Sequence, residues 1–266
     1  MSVRAFALEL VAAEAAVLAA SHAAADALHP AVSVLGTLLG EHRLPPKLGS
    51  TLALLSGDRE TLEKELRTES LQALLARARE HYARPGLVLD IDDADVLRAI
   101  GAVNEWHNVD AAHADLVKVA GYLERTFGEG AGDRLAVQQL RAALRKELRG
   151  TPARSPRGVV LELWMYPDSY ATPPRYDYQC RERARRTCDG LTRAFALLGV
   201  PADEHTLARS VAAAADARTI VSRHRTECGA GIAFVTFQRK LLIELPLGLG
   251  TEFVAWLDAV EQNVAA

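Results

Sequence analysis

The chain has 266 residues, 49% of them apolar and 24% charged, a balance that supports a buried core in one large domain or two ordinary ones. Its 31 Lys and Arg stand against 34 Asp and Glu, and a net charge of −3 excludes a global electrostatic pull toward nucleic acid or anionic membrane. No run approaches the roughly eighteen uncharged apolar residues of a membrane-spanning helix.

Residues 3–28 hold twelve alanines with scattered charges, which predicts a helix ended by His29-Pro30. Glu9 and Glu14 interrupt what would otherwise read as a secretory leader. Helices are expected next at 31–41, 47–56 and 59–83, the last with an apolar face of Leu62, Leu66, Leu71, Leu74, Leu75 and Ala78. Leu87–Asp90 suits a short strand or an extended lead-in. Further helices are expected at 94–107, 110–127 and 133–149, the last two separated by Gly128–Gly132.

The composition changes at G-T-P-A-R-S-P-R-G, residues 150–158, which reads as a linker. Strands are expected at 159–166, 219–225, 231–237 and 241–245, the middle two forming a hairpin around 226–230. Helices at 179–199, 203–217 and 251–264 fill the gaps. The fold class is therefore α+β. A helical domain over 1–150, suited to packing and oligomerisation, precedes an α+β domain over 151–266 with a mainly antiparallel four-stranded sheet and helices on one face.

The stretch least explained by folding alone is 166–186. It holds four of the six tyrosines (Tyr166, Tyr170, Tyr176 and Tyr178) and five arginines (Arg175, Arg181, Arg183, Arg185 and Arg186). About a dozen loop residues, 167–178, join the strand to the next helix, and loops of that length are often functional. In that helix Cys180, Ala184, Cys188, Leu191, Phe195 and Leu198 share an arc of about 80°, which leaves the arginines on the opposite side. Arginine forks grip phosphate, and tyrosine rings stack on bases or pack against proteins. A solvated helix face with tyrosines anchoring the loop is the plain alternative.

Three short stretches resemble known motifs. Cys180-x5-Arg186-Thr187, with Pro167-Asp168 upstream, is similar to the phosphate loop of cysteine-dependent phosphatases, which would make Cys180 the nucleophile and Arg186 the phosphate clamp. No glycine falls between Cys180 and Arg186, and a buried structural cysteine competes with this reading. Leu87-Val-Leu-Asp90-Ile-Asp92-Asp93 resembles the first motif of haloacid-dehalogenase phosphatases, implying Asp90 as nucleophile and Asp92 as acid/base. Capping of the helix at Ala94 by Asp92 or Asp93 accounts for the same residues. Gly231-Ile-Ala-Phe234-Val-Thr-Phe237 resembles the longer signature of the RNA-recognition motif, and equally reads as an alternating strand.

Glu105, His107, Asp110 and His113 are metal-ligand types, but on one helix the two histidines point about 120° apart. No metal and no cofactor is expected. Cys180, Cys188 and Cys228 form no metal-type pair and suit a reducing compartment, so the expected location is the cytoplasm. The expected function is a non-enzymatic binding or regulatory protein. Tyr166, Tyr170, Arg175, Tyr176, Tyr178, Arg181, Arg183 and Arg186 would contact a phosphate-bearing ligand, foremost nucleic acid. The alternatives are a phosphate-ester hydrolase or a protein–protein adaptor. No membrane partner is expected, and the N-terminal helices would serve a homo-oligomer.

Overall fold

A computed structural model describes residues 2–39, 59–104, 108–148, 152–156 and 158–259. The helix expected at 47–56 lies outside them. The chain falls into two compact units, Met1–Ala136 and Val137–Ala266.

The first unit is helical. Helix α1, Val3–Leu39, runs straight through His29-Pro30, where a helix end was expected. A proline deletes one amide donor, and strong helix formers on both sides can carry the helix past it. Helix α2, Arg59–Tyr82, buries Leu71, Leu74, Leu75 and Ala78, the face its periodicity predicts. Residues 87–90 form no strand but an extended lead-in to α3, Asp93–Ile100. Asp92 caps α3 by accepting from the Ala94 and Asp95 amides, and Gly101 closes it, seven residues short of the expected end. The helix expected over 110–127 is split. Asp110 caps a 3₁₀ turn at Ala111–His113, and Asp115 caps α4, Leu116–Phe127. Two aspartates offering side-chain acceptors within five residues favour two short starts over one long helix. Helix α5, Ala131–Glu147, gives Ala136 to the first core, whereas Leu144 belongs to the core of the second unit.

The second unit carries an antiparallel sheet of five strands among the described residues, one more than expected. Strand β1, Ala153–Ser155, arises within the supposed linker and pairs with β2, Gly158–Trp164. The close turn depends on Gly158 at φ 140, where a Cβ would lie 1.9 Å from the Leu245 carbonyl oxygen. After β2 come α6 (Tyr178–Leu197), α7 (Leu207–Ala215), β3 (His224–Gly229), β4 (Ile232–Thr236), β5 (Lys240–Leu245) and α8 (Leu247–Asp258). The strand order is β1-β2-β5-β4-β3.

Three expected starts in this unit shift by four residues or more, and α7 begins at Leu207 rather than 203. The β3–β4 turn sits at Gly229-Ala230-Gly231, all three at positive φ, and moves β3 five residues later than the expected 219. Helix α8 begins at Leu247 rather than 251, directly after Pro246. Alternation sends Val159, Leu161, Leu163, Ile232, Phe234, Leu241, Ile243 and Leu245 into one core with Cys180, Ala184, Cys188, Leu191 and Phe195 of α6. The opposite sheet face carries Glu162 paired with Lys240 at 3.0 Å and Arg225 paired with Glu244 at 2.9 Å. Helices thus cover one face only.

Candidate functional site

Residues 166–177 fold back on themselves as an extension of β2. Asp177 N donates to Tyr166 O, Asp168 N donates to Arg175 O at 2.7 Å, and Pro167 bridges Tyr176. The result is an irregular hairpin whose tip spans residues 169–174. Three ties hold it. Tyr176 is 1% exposed and donates its hydroxyl to Phe237 O, and burial pushes its phenol up to about 12. Asp168 pairs with Arg175 at 3.3 Å, and Ile220 N donates to Pro174 O at 2.8 Å. Asp177 then caps α6 through the Gln179 amide. The long loop is therefore a fixed ledge built from sequence-local acids and one aromatic anchor.

Its other aromatics face outward. Tyr170 at the tip is 95% exposed, Tyr178 64%, Tyr166 50% and Trp164 40%. Trp164 and Tyr166 flank buried Met165, so strand alternation points both away from the core. Tyr176 alone of the four tyrosines turns inward.

The arginines meet carboxylates. Arg181 reaches Asp216 at 3.4 Å and lies over the Tyr178 ring at 5.6 Å. Arg183 reaches Glu147 at 3.4 Å and donates to Trp164 O. Arg185 is shared between Glu182 and Asp216. Arg186 is exposed and has no ion-pair partner among the described residues. The structure thus gathers Arg175, Arg181 and Arg183 near the tyrosines but neutralises each. The Glu182–Arg185 spacing was visible in the sequence; Glu147 and Asp216 are too distant along the chain to be assigned from it.

Beside the hairpin root a cavity of about 340 Å³ is lined by Tyr176, Ser210, Ala214, Phe234 and Thr236 among others. A larger one, about 910 Å³, lies in the first unit around Tyr82, Arg84, Glu124 and Asp133. There the hydrogen-bonded Arg84 guanidinium lowers the Asp133 carboxyl and is itself raised in return. Burial, then the Glu124 charge, raises the Tyr82 phenol.

The motif-like stretches take ordinary geometries. Residues 180–187 are continuous α-helix, so their amides bond within the helix and cannot curl around an anion; Cys180 points into the core while Arg186 faces solvent. Asp92 is occupied as the α3 cap, and Asp93 pairs with Arg79 at 2.7 Å. Phe234 is buried beneath the helices, and β4 is followed by another strand. Asp110 caps the 3₁₀ turn and meets His113 Nδ1 at 3.3 Å, while Glu105 and His107 lie outside the described residues. Among the described residues no group of three or more His, Cys, Asp and Glu is arranged to hold a metal ion, and no helix is long and apolar enough to cross a membrane.

Comparison with protein-family models, curated proteins and solved structures gives no match to this chain.

Proposed function

We propose that the chain is a non-enzymatic binding protein that docks a protein partner on its aromatic hairpin. One observation carries this reading. Trp164, Tyr166, Tyr170 and Tyr178 stay exposed on or beside a braced hairpin while the guanidiniums among them are already paired. Tyrosine and tryptophan supply large contact area at low conformational cost, and a fixed frame reduces the entropy lost on docking. Paired arginines weigh against a phosphate-bearing ligand, since each would have to exchange a carboxylate for a phosphate. They suit the polar rim of a protein interface.

The same reading places the protein in a reducing cytoplasm, which suits three free, buried cysteines. Self-association through the helical unit belongs to it as well, because Leu8 and Val17 of α1 stand exposed; light scattering at two concentrations tests that part.

The docking reading is tested by placing a photo-crosslinking amino acid at position 170 of the full chain in cells. Discrete protein adducts that resist nuclease and disappear with Tyr166→Ser support it. Adducts only to nucleic acid would overturn it in favour of the phosphate reading, and an absence of adducts would remove the site altogether.

A further inference from the structure

Three helices of the N-terminal unit line one hollow of about 490 Å³, and two of them bring cations to it. Arg4 enters from the first turn of α1, Ala99 and Ile100 from the end of α3, and Val117, Lys118, Gly121 and Arg125 from α4. Lys118, Gly121 and Arg125 recur at helical spacing and share one side of α4. Among the described residues no carboxylate lines this hollow. Arg4, Gly121 and Arg125 also line the adjoining cavity of about 910 Å³, so the two guanidiniums stand where the hollows meet.

These charges are poorly answered by the protein itself. Neither Arg4 nor Arg125 has an ion-pair partner among the described residues. Lys118 meets Asp115 only at 3.8 Å. The larger cavity is lined by Glu124, Glu129 and Asp133, of which Asp133 is bound to Arg84. Arg4 occupies the first turn of α1, which contains no acidic residue, so its charge adds to the positive end of the helix dipole. Gly121 lies beside the second guanidinium: a Cβ there would make ordinary contact with Arg125 at 3.4 Å. Like charges gathered at one recess repel one another. An anion would reverse the sign of that interaction.

We propose that this hollow binds a small phosphate monoester. Arg4 and Arg125 grip the dianionic head with Lys118, and Ala99, Ile100 and Val117 support the carbon body. Three cations match a phosphate dianion better than a single carboxylate, and guanidinium forks suit its oxygens. The volume lies within the roughly 300–1,000 Å³ typical of small-molecule sites. A nucleic-acid backbone would need a basic track rather than one recess with an apolar floor.

The test is calorimetric titration of the full chain at low salt with phenyl phosphate, and with phenol, benzoate and inorganic phosphate for comparison. Saturable one-to-one binding of phenyl phosphate is expected, with benzoate weaker and phenol silent. Arg4→Ala and Arg125→Ala each weaken binding by about tenfold or more, a loss of about 1.4 kcal/mol. The lysine variants, which keep the charge and lose the fork, weaken it less, and Arg77→Ala leaves it unchanged. Circular dichroism confirms that each variant is folded. Absence of saturable binding to the folded chain would overturn the proposal, as would undiminished binding in the Arg4→Ala/Arg125→Ala double variant. Inorganic phosphate binding as tightly as phenyl phosphate would overturn it too, by removing the carbon body from recognition.

Discussion

Two groups of arginines, one in each unit, stand in opposite electrostatic settings. Around α6 the guanidiniums are crowded in sequence, yet Asp168, Glu147, Glu182 and Asp216 answer Arg175, Arg181, Arg183 and Arg185 and, among the described residues, leave Arg186 alone at the surface. In the N-terminal unit Arg4 and Arg125 are 121 positions apart and unremarkable in sequence, yet they share two hollows, and neither has an ion-pair partner among the described residues. Local density of a residue type therefore does not measure the field it produces. The field depends on where the opposite charges end up, and that is a property of the fold.

The comparison can be pressed hardest at the anchor of the hairpin. Tyr176→Ala empties a fully buried site and should cost about 3–5 kcal/mol of unfolding free energy in urea melts. Tyr176→Phe removes only the hydroxyl and leaves Phe237 O short of a donor, for a loss of about 1–2 kcal/mol. Near-equal losses would mean that the ring contributes little to holding the ledge.

A deep ion pair of the helical unit gives the next effect. Glu14 is 6% exposed and meets Arg67 at 3.0 Å, so Arg67→Ala leaves a buried carboxylate without its cation. Because Arg67 keeps a third of its side chain in water, the expected cost is roughly 2–3 kcal/mol, below that of breaking a fully buried pair. Asp216→Asn, by contrast, releases Arg181 at the surface and leaves Arg185 to Glu182 alone. It should cost less than about 1 kcal/mol. It should also raise the salt concentration at which the protein leaves a heparin column. Unchanged elution would show that pairing is not what keeps those arginines silent.

A smaller effect is expected from His205. Its ring is buried against Phe195, and neither nitrogen has a hydrogen-bond partner among the described residues. Burial holds its imidazole below the ordinary value of 6.5. The unfolded chain therefore takes up the proton first, and the His205 contribution is complete above about pH 6.5 and lost as pH falls below it. His205→Phe should flatten that slope in stability measured from pH 7 to 5. The smallest signal is a null: burial raises the thiols of Cys188 and Cys228, so a thiol reagent should label neither before denaturation.

Much of this architecture could be read from the residues. Apolar spacing located α2 and the buried side of α6, and aspartates before amide-rich starts marked the beginning of α3. Strand β1 was hidden because prolines and glycines surround it and its pairing depends on the fit of Gly158 under Leu245. The β3–β4 turn was displaced because the residues at positive φ are Gly229, Ala230 and Gly231, at the far end of the expected 226–230 turn and one residue past it. At the hairpin, sequence located the tyrosines and arginines but not their answers. The inward turn of Tyr176 depends on Phe237, and the silence of Arg181 depends on Asp216, contacts that only the folded chain makes.

The contrast between the two arginine groups can be read in a single measurement. Inorganic phosphate and phenyl phosphate are titrated into the ¹⁵N-labelled full chain, and amide shifts are mapped by residue. The account predicts saturable shifts at Arg4, Lys118, Gly121 and Arg125, larger with the ester, while Gln179–Thr187 stay still. Shifts centred on Gln179–Thr187, with the N-terminal helices unmoved, would contradict it.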